Sequence, residues 1–98
     1  MSPHTATVTV VTAPGCHFCN DARQVLGAMA DAGAPLRIEL VDATSPAGRD
    51  LLAAHRPAMN PLVLVDGAWF SAGRLPRRKL EALLARRETA NTGEVRRG

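Results

Sequence analysis

Two cysteines, Cys16 and Cys19, make up the whole thiol content of the chain, and they stand three residues apart in the stretch TAPGCHFCND. Such a pair can lock a structure, hold a metal or exchange electrons with another molecule. As a lock it is weak: closing so short a loop removes less unfolded-state entropy than the about 3 kcal/mol that a 15-residue loop provides. As a metal site it is incomplete, because zinc normally takes four ligands and His4, His17 and His55 follow no recognised ligand spacing. An iron–sulfur cluster shared between two copies, each giving one thiolate, stays open as the alternative reading of the same residues. Thiol–disulfide exchange needs only what this stretch supplies: two thiols one helical turn apart, the first at a helix N-terminus. There the unpaired N–H groups and the helix dipole favour a thiolate, lowering a thiol from its usual value of about 8.5 into the range of about 3.5–7.5. A protonated His17 would add to the effect. Cys16, at the open end, is then the attacking sulfur; Cys19, where the helix begins to bury residues, is the resolving one.

The elements that must position this pair can be read from periodicity. Thr5–Thr12 is β-branched almost throughout and ends at Pro14-Gly15, which predicts a largely buried strand. From Phe18 the period changes: Phe18, Ala22, Val25, Leu26 and Met29 recur at three- and four-residue spacing, predicting an amphipathic helix from about Cys16 that stops before Gly33-Ala34-Pro35. Leu36–Asp42 alternates as a second strand. Thr44 or Ser45 can cap a short helix with Pro46 in its first position and Leu51 and Leu52 facing inward, and Pro57 forbids its continuation. Pro61–Phe70 contains two apolar runs around Asp66-Gly67, a hairpin signal. A last helix with Pro76 near its start carries Leu80, Leu83 and Leu84 on one face. Trp69 and Phe70 alternate across a strand; core packing, rather than substrate contact, is the expectation for both.

The order is βαβαββα. The first three elements form a right-handed parallel unit, the hairpin adds antiparallel strands, and helices cover both faces of a four-stranded mixed sheet in an α/β fold. Residues 5–87 make one domain and residues 88–98 a flexible basic tail. The 98 residues suffice for a single core, and 46% apolar content is that of a globular chain. Three aromatic residues are too few for stacking on bases. The net charge of +3 is uneven: residues 1–73 carry four Arg against six Asp or Glu, while residues 74–98 carry eight Arg or Lys against three Glu. A basic module acting through Arg74–Arg97 is a third reading, but a solvated helix face with a loose tail accounts for the charge more simply. No apolar run spans a bilayer and the N-terminus lacks a signal-peptide pattern, so a cytoplasmic address is expected. In that reducing compartment thiols serve chemistry more often than cross-linking.

CHFC after a first strand, followed by NPLVLVDGAWFSAGRL, resembles the thioredoxin fold in its short glutaredoxin-like form, from Thr7 to about Arg87. The resemblance implies a thioredoxin-like three-layer sandwich, with Cys16 as nucleophile, Cys19 as resolving thiol and Pro61 as the cis-proline that faces them. With no N–H of its own, Pro61 would leave the Asn60 backbone to pair with an extended peptide or a glutathione-like thiol. Substrate contacts are implied at Asn60, Pro61, His17 and Phe18, and at Ser71 and Arg74, where Ser71-Ala72-Gly73-Arg74 stands in place of the Gly-Gly and acidic or hydroxyl pattern of glutathione-binding members. The implied activity is reduction of protein or low-molecular-weight mixed disulfides by a monomer with no bound cofactor. Glutathione, a substitute thiol or a reductase would be the electron donor, and neither membrane nor nucleic acid is expected as a partner.

Overall fold

The interior strand β1, Ala6–Thr12, forms where valines at 8, 10 and 11 can be buried on both faces of a sheet, and its burial is nearly continuous. It is the axis of the computed structural model, which describes residues 5–86. The chain runs β1, α1 (His17–Asp31), β2 (Leu36–Asp42), α2 (Pro46–His55), β3 (Leu62–Val65) and β4 (Ala68–Ala72), followed by helix α3 over residues 77–86. The strand order is β2-β1-β3-β4. β1 pairs in parallel with β2 from Ala6–Leu36 to Thr12–Asp42, and antiparallel with β3 from Val8–Val65 to Val11–Leu62. The expected α/β fold with a four-stranded mixed sheet is therefore present. The expected basic tail, residues 88–98, lies outside the described residues. Among those described, no helix is long and apolar enough to cross a membrane.

Two apolar clusters hold the layers together. On one face Val8, Val10, Val63, Val65 and Phe70 meet Leu26 and Met29 of α1 and Leu75, Leu80 and Leu84 around α3. On the other, Val11, Leu62 and Leu64 are covered by Leu51 and Leu52 of α2. Each fully buried leucine, such as Leu26 or Leu80, contributes about 1.5–3 kcal/mol by leaving water.

The hairpin follows from its turn. Asp66 and Gly67 have φ of 51° and 83°, the left-handed pair that a two-residue turn between twisted strands requires. Asp66 also anchors the turn to β1, since its Oδ1 accepts from Thr7 N–H at 2.9 Å and its own N–H donates to Thr7 O at 2.8 Å. One departure from strict alternation follows: β3 and β4 slip by a residue, with Ser71 opposite Val63 but Trp69 opposite Leu64, leaving Phe70 without a partner across the ladder. Phe70 turns into the larger cluster. Trp69 does not pack in the core as its residue type suggests: it is 50% exposed, on the edge strand, with its ring 6.3 Å from that of His55 at the end of α2. The short α2 covers β3 and stops there, because Arg56 takes a left-handed conformation and ends it.

The start of α2 is the tightest junction. Ser45 caps it, its Oγ accepting from Gly48 N–H at 3.1 Å and donating to Asp42 O at 2.6 Å. A Cβ on Gly48 would run into the Asp42 carbonyl oxygen and come within 2.9 Å of Ala43 Cα. Helix propensity by itself favours alanine over glycine by about 1 kcal/mol. Gly48→Ala should nonetheless destabilise the protein by about 1–3 kcal/mol, the range for forcing extra volume into packed structure. Gly27→Ala on α1, where a Cβ meets nothing within 4 Å, should stabilise it by up to about 1 kcal/mol. Urea midpoints of the two variants check the contrast, and a Gly48→Ala midpoint above that of the parent would refute the collision.

Candidate functional site

The two cysteines sit where β1 hands over to α1. After Thr12 the chain must reverse direction to lay α1 against the sheet; Pro14 and Gly15 make that turn, and Gly15 adopts a φ of 70° that side chains resist. Cys16 then occupies the N-cap of α1 with extended backbone (φ −87°, ψ 109°). Its sulfur does what a serine or aspartate oxygen does at other helix starts: it accepts the Cys19 N–H at 3.1 Å. Cys16 and Cys19 are joined in a disulfide with their Cα atoms 5.3 Å apart. Cys19 is 4% exposed and faces the core side of α1, whereas Cys16 is partly open to solvent.

Chemically, this arrangement favours charge on one sulfur over the other. A thiolate at Cys16 would face the positive end of a fifteen-residue helix and the N–H of Cys19. No acidic side chain lies in the first turn of α1 to oppose it. Cys19, buried deeper, gains less from either and is shielded from large reagents.

A cleft of about 390 Å³ opens beside the pair. Its lining runs along the turn from Thr12 to His17, continues over Cys19, Asn20 and Arg23 on α1, and ends at Asp42 on β2. Asp42 belongs there because the chain leaving β2 turns around its carboxylate: Oδ1 accepts both the N–H and the hydroxyl of Thr44 at 2.8 Å. Those two hydrogen bonds, the backbone one first, hold the Asp42 carboxyl below its ordinary value of 3.8. The ionised form is thus favoured in the folded state. The turn draws its full support from Asp42 above the ordinary value and loses it as pH falls through the lower folded-state value.

The residues singled out in the sequence do not all share this cleft. Cys16, His17 and Cys19 line it. Phe18 projects to solvent at 39% exposure. Pro61 follows a cis peptide bond from Asn60 and lies one step beyond the Val11–Leu62 pair, which puts it beside the end of β1 on the β3 side. It is buried, Asn60 is exposed, and Pro61 O accepts from Gly73 N–H at 3.0 Å, tying the end of β4 to the same place. Ser71 is half-buried with its Oγ shielded and without a hydrogen-bond partner, and Arg74 is exposed beyond Gly73. Asn20, Arg23 and Asp42 were not visible as site residues by motif. The available signals were the four-residue step from Cys16 to Asn20 and from Cys19 to Arg23, and the Asp-x-Thr-Ser turn signature after β2. Among the described residues, no three His, Cys, Asp or Glu side chains gather at metal-ligand spacing. No family model matches the chain, and no curated protein matches it.

The asymmetry between the sulfurs is measurable. In the reduced protein, iodoacetamide should modify Cys16 at least about tenfold faster than Cys19 at neutral pH, and the Cys16 rate should level off below pH of about 8.5. Peptide mapping after short exposures at a series of pH values checks this; equal labelling, or a midpoint at the value of a free thiol, would contradict it.

Proposed function

We propose that the protein is a glutaredoxin-like thiol–disulfide oxidoreductase with a thioredoxin-like fold. The observation that carries the reading is the placement of Cys16: an N-cap sulfur holding the Cys19 N–H at 3.1 Å, partly open to solvent, and bonded to a buried Cys19. The fold reading is supported by the strand order β2-β1-β3-β4, with β1 and β2 parallel and β3 and β4 antiparallel, α1 and α3 packed on one face and α2 on the other.

In the reduced protein the Cys16 thiolate attacks one sulfur of a substrate disulfide. The substrate S–S bond breaks, a Cys16–substrate disulfide forms, and the departing thiolate takes a proton from solvent. Cys19, deprotonated, then attacks Cys16 Sγ; the second substrate thiol leaves and the Cys16–Cys19 disulfide closes. Two electrons pass from the dithiol to the substrate. A small thiol or a reductase in the cytoplasm restores the dithiol by the reverse exchange. Pro61 and Asn60, beside the end of β1, offer a ledge for the substrate backbone, and Phe18, between the two cysteines in sequence, is exposed to meet the substrate.

The division of labour gives opposite phenotypes. Cys16→Ser should reduce disulfide reduction to the uncatalysed rate, while Cys19→Ser should accumulate a one-to-one mixed disulfide on Cys16, visible as an added mass that dithiothreitol removes. Activity retained in Cys16→Ser, or trapping on Cys19 instead, would overturn the assignment.

A further inference from the structure

Strand β2 is an edge of the sheet: β1 lies on one side of it and no described strand on the other. The bonds at its two ends show which of its backbone groups face outward. Ala6 N–H donates to Pro35 O at 2.9 Å and Ala43 N–H donates to Thr12 O at 2.8 Å, so the odd-numbered residues here direct their N–H and C=O toward β1. The two groups of one strand residue lie on the same side, so Leu36, Ile38 and Leu40 direct theirs away from the sheet. The Leu36 N–H is turned back to Ala34 O at 2.8 Å. What remains, the C=O of Leu36 and both groups of Ile38 and Leu40, is a row that another strand can bond.

The side chains give this edge a symmetry of its own. Leu36 and Ile38 pack on the larger apolar cluster, and Leu40 follows on the same face at 49% exposure. On the opposite face stand Arg37 and Glu39, both exposed, with Glu39 steadied by the Thr9 hydroxyl, which donates to its Oε1 at 2.9 Å. Arg37 has no ion pair among the described residues. Read end for end, Leu-Arg-Ile-Glu-Leu becomes Leu-Glu-Ile-Arg-Leu: the apolar positions coincide and each charge meets its opposite.

We propose that β2 is a homodimer interface, pairing antiparallel with β2 of a second copy about a two-fold axis through Ile38. Outward backbone groups must meet outward groups, so the axis passes through a residue and not between residues. Centred on Arg37 it sets two arginines opposite each other, and centred on Glu39 two glutamates, both destabilising. Centred on Ile38 it sets Arg37 opposite the partner's Glu39 twice, at the non-hydrogen-bonded positions where side chains stand closest. Ile38 N–H then donates to the partner's Ile38 O and Leu40 N–H to the partner's Leu36 O, each reciprocated, and the diverted Leu36 N–H falls where the ladder ends. Leu40 gains cover beside the partner's Leu36. Charges on an edge strand ordinarily discourage pairing. Here they exclude the neighbouring registers and admit one.

The pairing makes one continuous sheet of the two copies, in place of the monomer implied by the resemblance. Because the strands run antiparallel, the cysteine turns, which lie at the Asp42 end of β2, sit at opposite ends of the pair. The interface therefore needs no thiol chemistry. Leu36–Leu40 offers far fewer residues than the about 20–30 per side of a standard interface, so the dimer belongs to the weak class and forms at high protein concentration.

Sedimentation velocity on the full chain, with dithiothreitol present to remove disulfide-linked pairs, should show a monomer–dimer equilibrium between micromolar and millimolar protein. Arg37→Glu and Glu39→Arg should each weaken self-association by at least about tenfold, because each sets like charges opposite each other. Mixed together, the two variants should pair with one another within about threefold of the parent affinity, since every Glu then faces an Arg. The double variant Arg37→Glu/Glu39→Arg should also dimerise like the parent. A readout that needs no variant is amide exchange in the parent protein, where the Ile38 and Leu40 N–H groups should exchange more slowly as concentration rises. A parent that stays monomeric at millimolar concentration overturns the interface, as does Ile38 and Leu40 exchange independent of concentration. Single variants that dimerise like the parent, or a mixture no tighter than its parts, move any association to another face and overturn it equally.

Discussion

Everything at the sulfur end of the molecule depends on the register of β1. This strand is hydrogen-bonded along both edges, to β2 over its full length and to β3 across Val8–Val11. Its side chains divide between two cores, Val8 and Val10 to one and Val11 to the other. A slip of one residue would exchange those faces and expose each set to the wrong packing, so the strand has one acceptable setting. Thr12 is therefore held in place, and the distance from it to the helix start is spanned by three residues, two of which are the turn-forming Pro14 and Gly15. The position of Cys16 is a consequence of a strand whose own residues do no chemistry.

The opposite wall of the cleft is tied to the same strand. Ala43 N–H donates to Thr12 O at 2.8 Å, so the backbone just after Asp42 is bonded to the last residue before the cysteine turn. Asp42 in turn organises Thr44 and, through its carbonyl, Ser45, which caps α2. Gly48 packs against that backbone with no room for a side chain. Helix α2 and the carboxylate of the cleft thus form one mechanical unit.

Much of this was legible from residue order. The bounds of β2 coincide with the alternating run Leu36–Asp42, and Ser45 and Pro46 stand where capping chemistry puts them. The Asp66-Gly67 turn was readable because few other pairs tolerate two left-handed residues in succession. The cysteines were readable because a turn signal and a change of period bracket them. What escaped was set by contacts distant in sequence. The slip between β3 and β4 at Phe70 depends on how the larger core is filled, and the exposure of Trp69 depends on where α2 stops. Arg23 and Asp42 meet in one cleft only because β1 and β2 are parallel neighbours, which brings the end of β2 beside the first turns of α1. No local pattern in an α1 surface position or a strand-end aspartate announces that.

Trp69 has a consequence for how the molecule can be watched. It is the one tryptophan in a chain without tyrosine, and it stands half in water against the imidazole of His55. Its emission colour will follow the wetness of the β4 edge, and its intensity will follow how closely the imidazole ring of His55 sits beside it. The intrinsic fluorescence of this protein is accordingly an optical gauge of how firmly the end of α2 sits on the sheet, and a change of sulfur chemistry will alter it only if that change travels through the sheet to α2.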